Sequence, residues 1–294
     1  MDRATGGGAR GSGGSRTAHR VAIARAAHQL FDDPRVFLDP LATTLLPDEA
    51  RRALSESAGP REAKRRALRA FLAARARRAE DALADAVARG VRQYVVLGAG
   101  LDTFAFRNPY PELTVFEVDL AATQAEKLAL LAARGVTVPA TAHFVPADLG
   151  REALLPALEA AGARRDATYF SWLGVTPYLE RSAILEQLRA IASLPAPSAV
   201  TFDYIPDVTE MSLRERTRFE DLSRRVAAAG EPFRSVFPPR ELERDLLALG
   251  FARVEDLDRD ALNVRYFARR TDGLAVVGSG HVVTASVAEP LTSR

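Results

Sequence analysis

The hydrophobic positions of this chain follow two different periodicities, and the change between them comes at Gly90. From Arg61 to Arg89, apolar residues recur every three or four positions, which predicts a long amphipathic helix that ends at the glycine. After Gly90, short runs of β-branched and aromatic residues alternate with helical patterns. Strands that alternate with helices in this way predict a parallel, doubly wound α/β sheet.

Five strands are predicted in the alternating region: VRQYVVLGAG, TVFEVDL, AHFVPADL, ATYFSWLG and AVTFDYI. Helices are expected between them over AATQAEKLALLAARG and over residues 151–161 and 182–193, followed by helical segments within 207–230 and over 239–249. Near the C-terminus, GFARVEDLD and ALNVRYFARR indicate two successive strands, which predicts an antiparallel pair at the sheet edge. The segment from Leu274 is expected to pack as a further strand or arm.

The two ends of the chain differ in texture from the alternating region. Residues 1–16 are rich in Gly, Ser and Arg, so we expect a disordered tail, and they contain no apolar run typical of a secretory signal. We expect the remainder, 17–294, to be a single domain in four parts: an N-terminal helical cap (17–90), a cofactor-binding core (91–204), an inserted lid (205–240), and a C-terminal helix with edge strands (241–294).

Composition and charge remove several classes of protein. The 40 Lys and Arg residues nearly balance 38 Asp and Glu, so no basic surface for nucleic acid is indicated. Because the chain contains no cysteine, it cannot have disulfides, thiolate-bound zinc or a cysteine nucleophile. The four histidines form no metal-binding pattern, so no metal is expected, and His28 is the best histidine candidate for the cofactor mouth. No apolar stretch reaches the ~18 residues of a membrane span, which favours a cytoplasmic protein.

A glycine loop follows the first predicted strand, at the sheet edge where open α/β proteins bind their ligands. Gly98 and Gly100 allow a ligand to approach the backbone, and Asp102 lies in the same loop. The next strand ends in Glu117 and Asp119, in the position from which an acid accepts hydrogen bonds from ribose hydroxyls. Dinucleotide-binding and S-adenosylmethionine-binding proteins both use this arrangement.

Two details distinguish these cofactors. Thr103 stands where the dinucleotide fingerprint has its third glycine, so NAD is disfavoured. The carboxylate of Asp102 would repel a pyrophosphate, whereas it suits the amino group and sulfonium of S-adenosylmethionine. Asp102 could equally cap the following helix.

Four motifs in order, VVLGAGLDTFAFR, FEVDL with Lys127, FVPADL and FSWLGVTPYL, resemble the leucine carboxyl methyltransferase-like family of class I S-adenosylmethionine-dependent methyltransferases. The resemblance extends from about Thr17 to Tyr266 and is greatest to a bacterial branch that includes O-methyltransferases of polyketide tailoring. It implies a Rossmann-like, seven-stranded sheet that is parallel with an antiparallel edge pair, together with the helical cap and inserted lid. It also implies S-adenosylmethionine as the cofactor.

The resemblance also implies cofactor contacts. Gly98 and Gly100 would line the methionine end of the cofactor. Asp119 would bind the ribose, with Glu117 as the second candidate. Asp148 and Leu149 would contact the adenine. The arginine that pairs with the cofactor carboxylate maps to Arg77 or Arg75. One position departs from the family pattern, because Leu173 stands where other members have Glu.

Methyl transfer from a sulfonium is a direct displacement that depends on alignment of the acceptor. A carboxylate acceptor is ionised at neutral pH and needs only a cationic clamp, whereas a phenol gains from a general base. Candidates for the acceptor site are Arg107, Arg234, Arg240, Tyr178 and Tyr204. We expect O-methylation of a small-molecule carboxylate or hydroxyl; the alternatives are a non-catalytic S-adenosylmethionine-binding protein and, less favoured, a dinucleotide-dependent oxidoreductase.

Overall fold

The computed structural model describes residues 16–55 and 60–287. Its strands are β1 (Gln93–Leu97), β2 (Thr114–Asp119), β3 (Ala142–Pro146), β4 (Thr168–Trp172), β5 (Ala199–Tyr204), β6 (Arg253–Leu257) and β7 (His281–Ser286). Its helices are α1 (Arg16–Phe31), α2 (Asp48–Ser55), α3 (Pro60–Ala88), α4 (Phe104–Arg107), α5 (Ala121–Ala133), α6 (Leu154–Ala160), α7 (Arg181–Ala192), α8 (Leu213–Ala228), α9 (Pro239–Leu249) and α10 (Arg259–Tyr266). The tail predicted to be disordered lies, apart from Arg16, outside the described residues.

The seven strands form one sheet in the order β3-β2-β1-β4-β5-β7-β6. The first five in this order are parallel, whereas β7 runs antiparallel to both β5 and β6. The predicted doubly wound, seven-stranded sheet with an antiparallel edge is therefore confirmed. None of the described helices has the length and apolar character needed to cross a membrane.

The segments that form the antiparallel edge of the sheet differ from those predicted. The segment ALNVRYFARR, predicted as a strand, begins with helix α10, and the second edge strand is β7 from the C-terminal segment. Asp258 caps α10 by accepting a hydrogen bond from the Ala261 amide. Leu262 is buried while Val264 is 74% exposed, so residues two positions apart face opposite sides, as they do in a helix. The exposed Val264 makes no core contact that would favour a strand.

The two faces of the sheet are covered by different helices. On one face, Phe170 and Phe202 share a buried cluster with Ile184 of α7 and Leu246 of α9. On the other face, Tyr94 and Tyr169 pack with residues of α3 and α4. Helix α3 therefore packs one of its sides against the strands. Only arginines on that side of α3 can reach the ends of the strands.

One arginine of α3 is buried in an ion cluster with the N-terminal segment. Arg69 donates two hydrogen bonds to the carboxylate of Asp32, each at 2.9 Å. Nδ1 of His28 donates to the same carboxylate at 2.8 Å, and its Nε2 accepts from the amides of Val36 and Phe37. Both ring nitrogens of His28 are thus engaged in holding the loop after α1, and His28 has a structural role.

We expect this cluster to make folding stability acid-sensitive. Burial alone would raise the pKa of Asp32, but its bonds to His28 and Arg69 outweigh that effect and lower the pKa from 3.8 to about 2. A carboxyl whose pKa is lower in the folded state than in the unfolded state stabilises the protein fully at pH values above the unfolded-state pKa. This stabilisation is lost as the pH falls through the folded-state pKa. The free energy of unfolding should therefore drop by about 2 kcal/mol between pH 4 and pH 2 through this group alone.

Urea unfolding of wild type, Asp32→Asn and Asp33→Asn would test this expectation. Asp32→Asn removes the charge that Arg69 faces and should cost about 3–5 kcal/mol at pH 7. It should also show a flatter acid limb, whereas the exposed neighbour variant Asp33→Asn should match wild type. An acid limb of Asp32→Asn as steep as that of wild type would contradict the assignment.

Candidate functional site

The glycine loop leaves the end of β1 in a backbone conformation that requires glycine. Gly98 and Gly100 have φ of +64° and +50°, in the left-handed region. A Cβ atom on Gly98 would lie 2.2 Å from Cγ2 of Val175, so the turn after β4 packs directly on the loop. The first and fourth strands thus end in one shared crevice, where the strand order of the sheet reverses.

Asp119, at the end of β2, closes one side of this crevice. Its Oδ2 accepts the Gly100 amide at 2.6 Å and its Oδ1 accepts the Leu120 amide at 2.7 Å. Burial raises the pKa of Asp119 although these bonds to backbone amides lower it. Each carboxylate oxygen has a second lone pair, so Asp119 can accept further hydrogen bonds from a ligand.

Glu117 differs from Asp119 although it lies on the same strand. Its side chain is buried and pairs with Lys127 of α5 at 2.5 Å. Burial raises the pKa of Glu117, and the charge of Lys127 opposes that rise. Lys127 therefore engages the Glu117 carboxylate in the interior, and of these two acids the structure brings Asp119 into hydrogen-bond contact with the glycine loop.

Asp148 and Leu149 follow β3, which pairs with β2. The Ala147 amide donates to the Asp119 backbone carbonyl at 2.9 Å, so the segment after β3 lies beside the Asp119 end of the crevice. Leu149 is buried, while Asp148 is partly exposed and accepts the Gly150 amide. An apolar side chain beside a polar one at this position fits a heterocyclic base with polar edges.

The two candidate arginines of α3 have different surroundings. Nη1 of Arg75 donates to Oδ2 of Asp203 at 2.7 Å, and the guanidinium packs on Gly174 after β4. Arg77 is half-exposed and pairs with Asp81 of its own helix. The structure therefore brings Arg75, and not Arg77, to the strand ends that carry the crevice.

Asp102 is engaged within the protein. Its Oδ1 accepts the Phe104 amide at the start of α4, and its Oδ2 accepts Nη1 of Arg25 from α1, each at 2.7 Å. Burial alone would raise the pKa of Asp102, but the charges of Arg25 and Arg107 outweigh it and lower the pKa well below its usual range. Of the two roles considered for Asp102, the structure shows the bond to the start of the helix, together with an ion pair to α1.

Several candidates for the acceptor site are committed to other contacts. Arg107 forms a two-nitrogen pair with Glu80, and Arg234 is half-exposed and pairs with Glu180. Arg240 is exposed in the first turn of α9. Tyr204 is 1% exposed and donates its hydroxyl to Asp256 on the face covered by α7 and α9. As a wall of an acceptor site, Tyr204 is therefore wrong, because a substrate cannot reach its ring.

Tyr178 lies in a better position than the other acceptor candidates. Its ring is 5.4 Å from that of Phe233, which stacks on Phe219 of α8 at 5.9 Å. Burial raises the pKa of Tyr178, and the charges of Arg75 and Asp203 are near enough to contribute smaller effects. The hydroxyl is therefore neutral at physiological pH, and an aromatic wall stands close to Arg75.

Helix α1 covers the crevice. Ala18 lies 3.2 Å from the position of a Cβ atom on Gly100, and Arg25 pairs with Asp102 of the loop. Thr17 donates hydrogen bonds from its amide and its hydroxyl to Glu231, in the segment between α8 and α9. The beginning of the predicted cap thus contacts the predicted lid through Thr17, next to the Ala18 residue that packs on the glycine loop.

A cavity of about 490 Å³ lies elsewhere, between α3 and α10. Arginines line it, but Arg77 pairs with Asp81, and Arg78 and Arg265 pair with Glu255. At the glycine loop, by contrast, Ala18 of α1 packs close to Gly100. The glycine loop, and not this cavity, is the candidate site because it lies where the strand order reverses.

The sequence of the chain matches the profile of the leucine carboxyl methyltransferase family over residues 18–192. The chain belongs to this family of class I S-adenosylmethionine-dependent methyltransferases. YktD of Bacillus subtilis, named as an S-adenosyl-L-methionine-dependent methyltransferase, is 36% identical over 72% of this chain and 71% of its own length. A Mycobacterium tuberculosis protein named in the same way is 32% identical over 92% of this chain and 73% of its own length.

A solved structure supports the fold of this leucine carboxyl methyltransferase family member. A protein of the family called DUF574 from Streptomyces avermitilis aligns with a TM-score of 0.57 at 18% identity, over 91% of this chain and 97% of that one. At this level of identity, the structural similarity shows only that the two proteins share a fold. The contacts of the site therefore depend on the residues described above.

Two residues beside the crevice, Asp203 and Arg25, were not candidates from the sequence. Asp203 is the penultimate residue of β5, and an acid near the carboxyl end of a buried strand was the signal that could have revealed it. Arg25 lies in the predicted N-terminal cap, but nothing in the local sequence distinguishes it from the other arginines of that helix. Only the packing of α1 on the loop brings Arg25 to Asp102.

Proposed function

We propose that this methyltransferase transfers a methyl group to an oxygen atom, carboxylate or hydroxyl, of a small-molecule acceptor held beside the aromatic wall of Tyr178, Phe233 and Phe219. The observation that carries the proposal is the crevice formed by Gly98, Gly100 and Asp119, with the Arg75 guanidinium at its other end. These groups match the two ends of S-adenosylmethionine, a nucleoside and an amino acid.

The residues of the crevice fit this cofactor. Gly98 and Gly100 let the loop pack against the turn after β4 and against α1, where a Cβ atom would meet Val175 at 2.2 Å and Ala18 at 3.2 Å. Asp119 has lone pairs for the ribose hydroxyls, Leu149 and Asp148 would border the adenine, and Arg75 would hold the carboxylate. When bound, S-adenosylmethionine supplies a methyl group on a positively charged sulfur, which is open to attack by an oxygen nucleophile.

The side chains near the site favour positioning over proton transfer. Tyr178 has a raised pKa and so is a poor base, and both nitrogens of His28 are engaged away from the loop. An acceptor that is already ionised needs no base, which favours a carboxylate. The aromatic wall of Tyr178, Phe219 and Phe233 would exclude water and orient an apolar acceptor body.

Calorimetric titration with S-adenosylmethionine, S-adenosylhomocysteine and NADH tests the cofactor. Transfer of labelled methyl to a panel of carboxylic acids, phenols and amines tests the reaction. We expect both sulfur ligands to bind and NADH not to bind. Binding of NADH alone would overturn the proposal. Labelling of nitrogen or carbon acceptors, with no oxygen acceptor labelled, would overturn the O-methylation part. Binding without turnover of any acceptor would favour a non-catalytic role.

The contact between α1 and Glu231 predicts slow release of the bound ligand. Glu231→Gln weakens the charged hydrogen bonds from Thr17, so S-adenosylhomocysteine should dissociate about 5- to 30-fold faster, as loss of a bond worth ~1–2 kcal/mol implies. Displacement followed by stopped-flow fluorescence measures this rate. Glu220→Gln, on the exposed surface of α8, should leave the rate unchanged. Equal rates in wild type and Glu231→Gln would mean that this contact does not retain the ligand.

A further inference from the structure

We propose that Asp203 is a positioning residue for the amino-acid end of the cofactor. It fixes the Arg75 guanidinium and the turn after β4 in the arrangement that receives a carboxylate. This inference rests on the proposed function and assigns a role to a residue that itself need not touch the cofactor.

Asp203 uses both oxygens to connect two parts of the site. Its Oδ2 accepts Nη1 of Arg75 at 2.7 Å, and its Oδ1 accepts the Gly174 amide at 2.5 Å. The residue is 5% exposed and Arg75 is 6% exposed. A carboxylate and a guanidinium at this depth require each other, because either one alone would be a buried and uncompensated charge.

Gly174 lets the guanidinium approach the turn. Its φ is +76°, and a Cβ atom there would lie 2.7 Å from Nη2 and 3.0 Å from Nη1 of Arg75. Within the described parts of the chain, the guanidinium donates a hydrogen bond only through Nη1, to Asp203. Nη2 and Nε therefore retain donors in the planar arrangement that matches a carboxylate.

The position of Asp203 follows from the alternation of side chains along β5. Thr201 and Asp203 point to the face covered by α3, where the hydroxyl of Tyr169 bonds both Thr201 and the Ala79 carbonyl of α3. Phe202 between them faces the opposite core. Asp203 is thus the last side chain of β5 on the α3 face, at the height where Arg75 reaches the strand ends.

The turn that Asp203 holds also touches the glycine loop. Val175 follows Gly174, and its Cγ2 lies 2.2 Å from where a Cβ atom of Gly98 would be. The ends of β1, β4 and β5 are neighbours in the sheet, so Asp203, Gly174, Val175 and Gly98 form a continuous row of contacts. Asp203 therefore orients both the Arg75 guanidinium and the turn of Gly174 and Val175, which border the same part of the crevice.

Two ligands separate this role from a general effect on folding. S-adenosylhomocysteine contains the amino-acid group, whereas 5′-methylthioadenosine has the same nucleoside and sulfur without it. Asp203→Asn should weaken S-adenosylhomocysteine binding at least about tenfold, the cost of a lost charged contact. It should leave 5′-methylthioadenosine binding within about twofold of wild type. Asp166→Asn, an exposed acid before β4, serves as the matched control.

A double-mutant cycle then shows whether Asp203 acts through Arg75. Arg75→Met should lose S-adenosylhomocysteine affinity as Asp203→Asn does, and the Arg75→Met/Asp203→Asn variant should bind no more weakly than Arg75→Met. The double variant buries no charge at this pair, so it remains measurable if Asp203→Asn does not fold.

All affinities are measured by calorimetry on the purified full chain. Equal loss of both ligands, no loss of S-adenosylhomocysteine affinity, or a double variant clearly weaker than Arg75→Met would overturn the role of Asp203. Wild-type protein that fails to bind S-adenosylhomocysteine would instead overturn the proposed function, and this measurement precedes the variants.

Discussion

Gly98→Ala is expected to lower the affinity for S-adenosylhomocysteine by about 100-fold, or ~2.7 kcal/mol. The added Cβ would lie 2.2 Å from Val175, and the backbone at φ +64° disfavours any side chain. The loop or the turn after β4 must move, and both border the crevice. Isothermal titration calorimetry measures the loss directly.

Gly135→Ala provides a control with the same backbone conformation. Gly135 has φ of +65°, but a Cβ atom there would meet nothing within 4 Å. This variant should lose about 1–2 kcal/mol of stability from the left-handed backbone and retain its affinity. Adding Val175→Ala to Gly98→Ala removes the colliding methyl groups and should recover part of the binding. Undiminished binding by Gly98→Ala would show that the loop does not contact the ligand.

Asp119→Ala is expected to weaken S-adenosylhomocysteine and 5′-methylthioadenosine alike, by tenfold or more. Both ligands carry the ribose, and loss of charged hydrogen bonds costs ~1.5–3 kcal/mol. This equal loss distinguishes Asp119 from Asp203, whose variant should affect only the ligand with the amino-acid group. An affinity within about twofold of wild type for both ligands would remove Asp119 from the ribose site.

The affinity of wild type should also depend on pH through Asp119. Burial raises the pKa of this carboxyl, so it takes up a proton at a higher pH than an ordinary aspartate. The ionised form accepts the ribose hydrogen bonds, and affinity should therefore hold at neutral pH and fall as pH decreases through the raised pKa. Titrations in the acidic range should show this fall in wild type and its absence in Asp119→Ala.

Much of the fold and part of the site could be predicted from local sequence. Strand and helix periodicity are local properties, so the five parallel strands and α3 were found close to their observed bounds. Gly98, Gly100 and Asp119 follow from the same signals, because glycines after a first strand and an acid at the end of the second occupy fixed places in such sheets.

The tertiary structure decided which charged and aromatic residues meet in the crevice. Arg75 and Arg77 are indistinguishable in sequence, yet only Arg75 reaches the strand ends, because helical rotation turns neighbouring positions in different directions. Tyr204 and Asp203 are adjacent on β5, and alternation across the sheet buries one in the core and brings the other to Arg75.

The sequence by itself determined the strand and helix pattern, the glycine loop and the acid at its side, because each depends on residues close in the chain. Only the tertiary structure decided the arginine, its partner Asp203 and the true edge strand. Those features depend on contacts between distant segments, where burial and pairing of charge outweigh local preference.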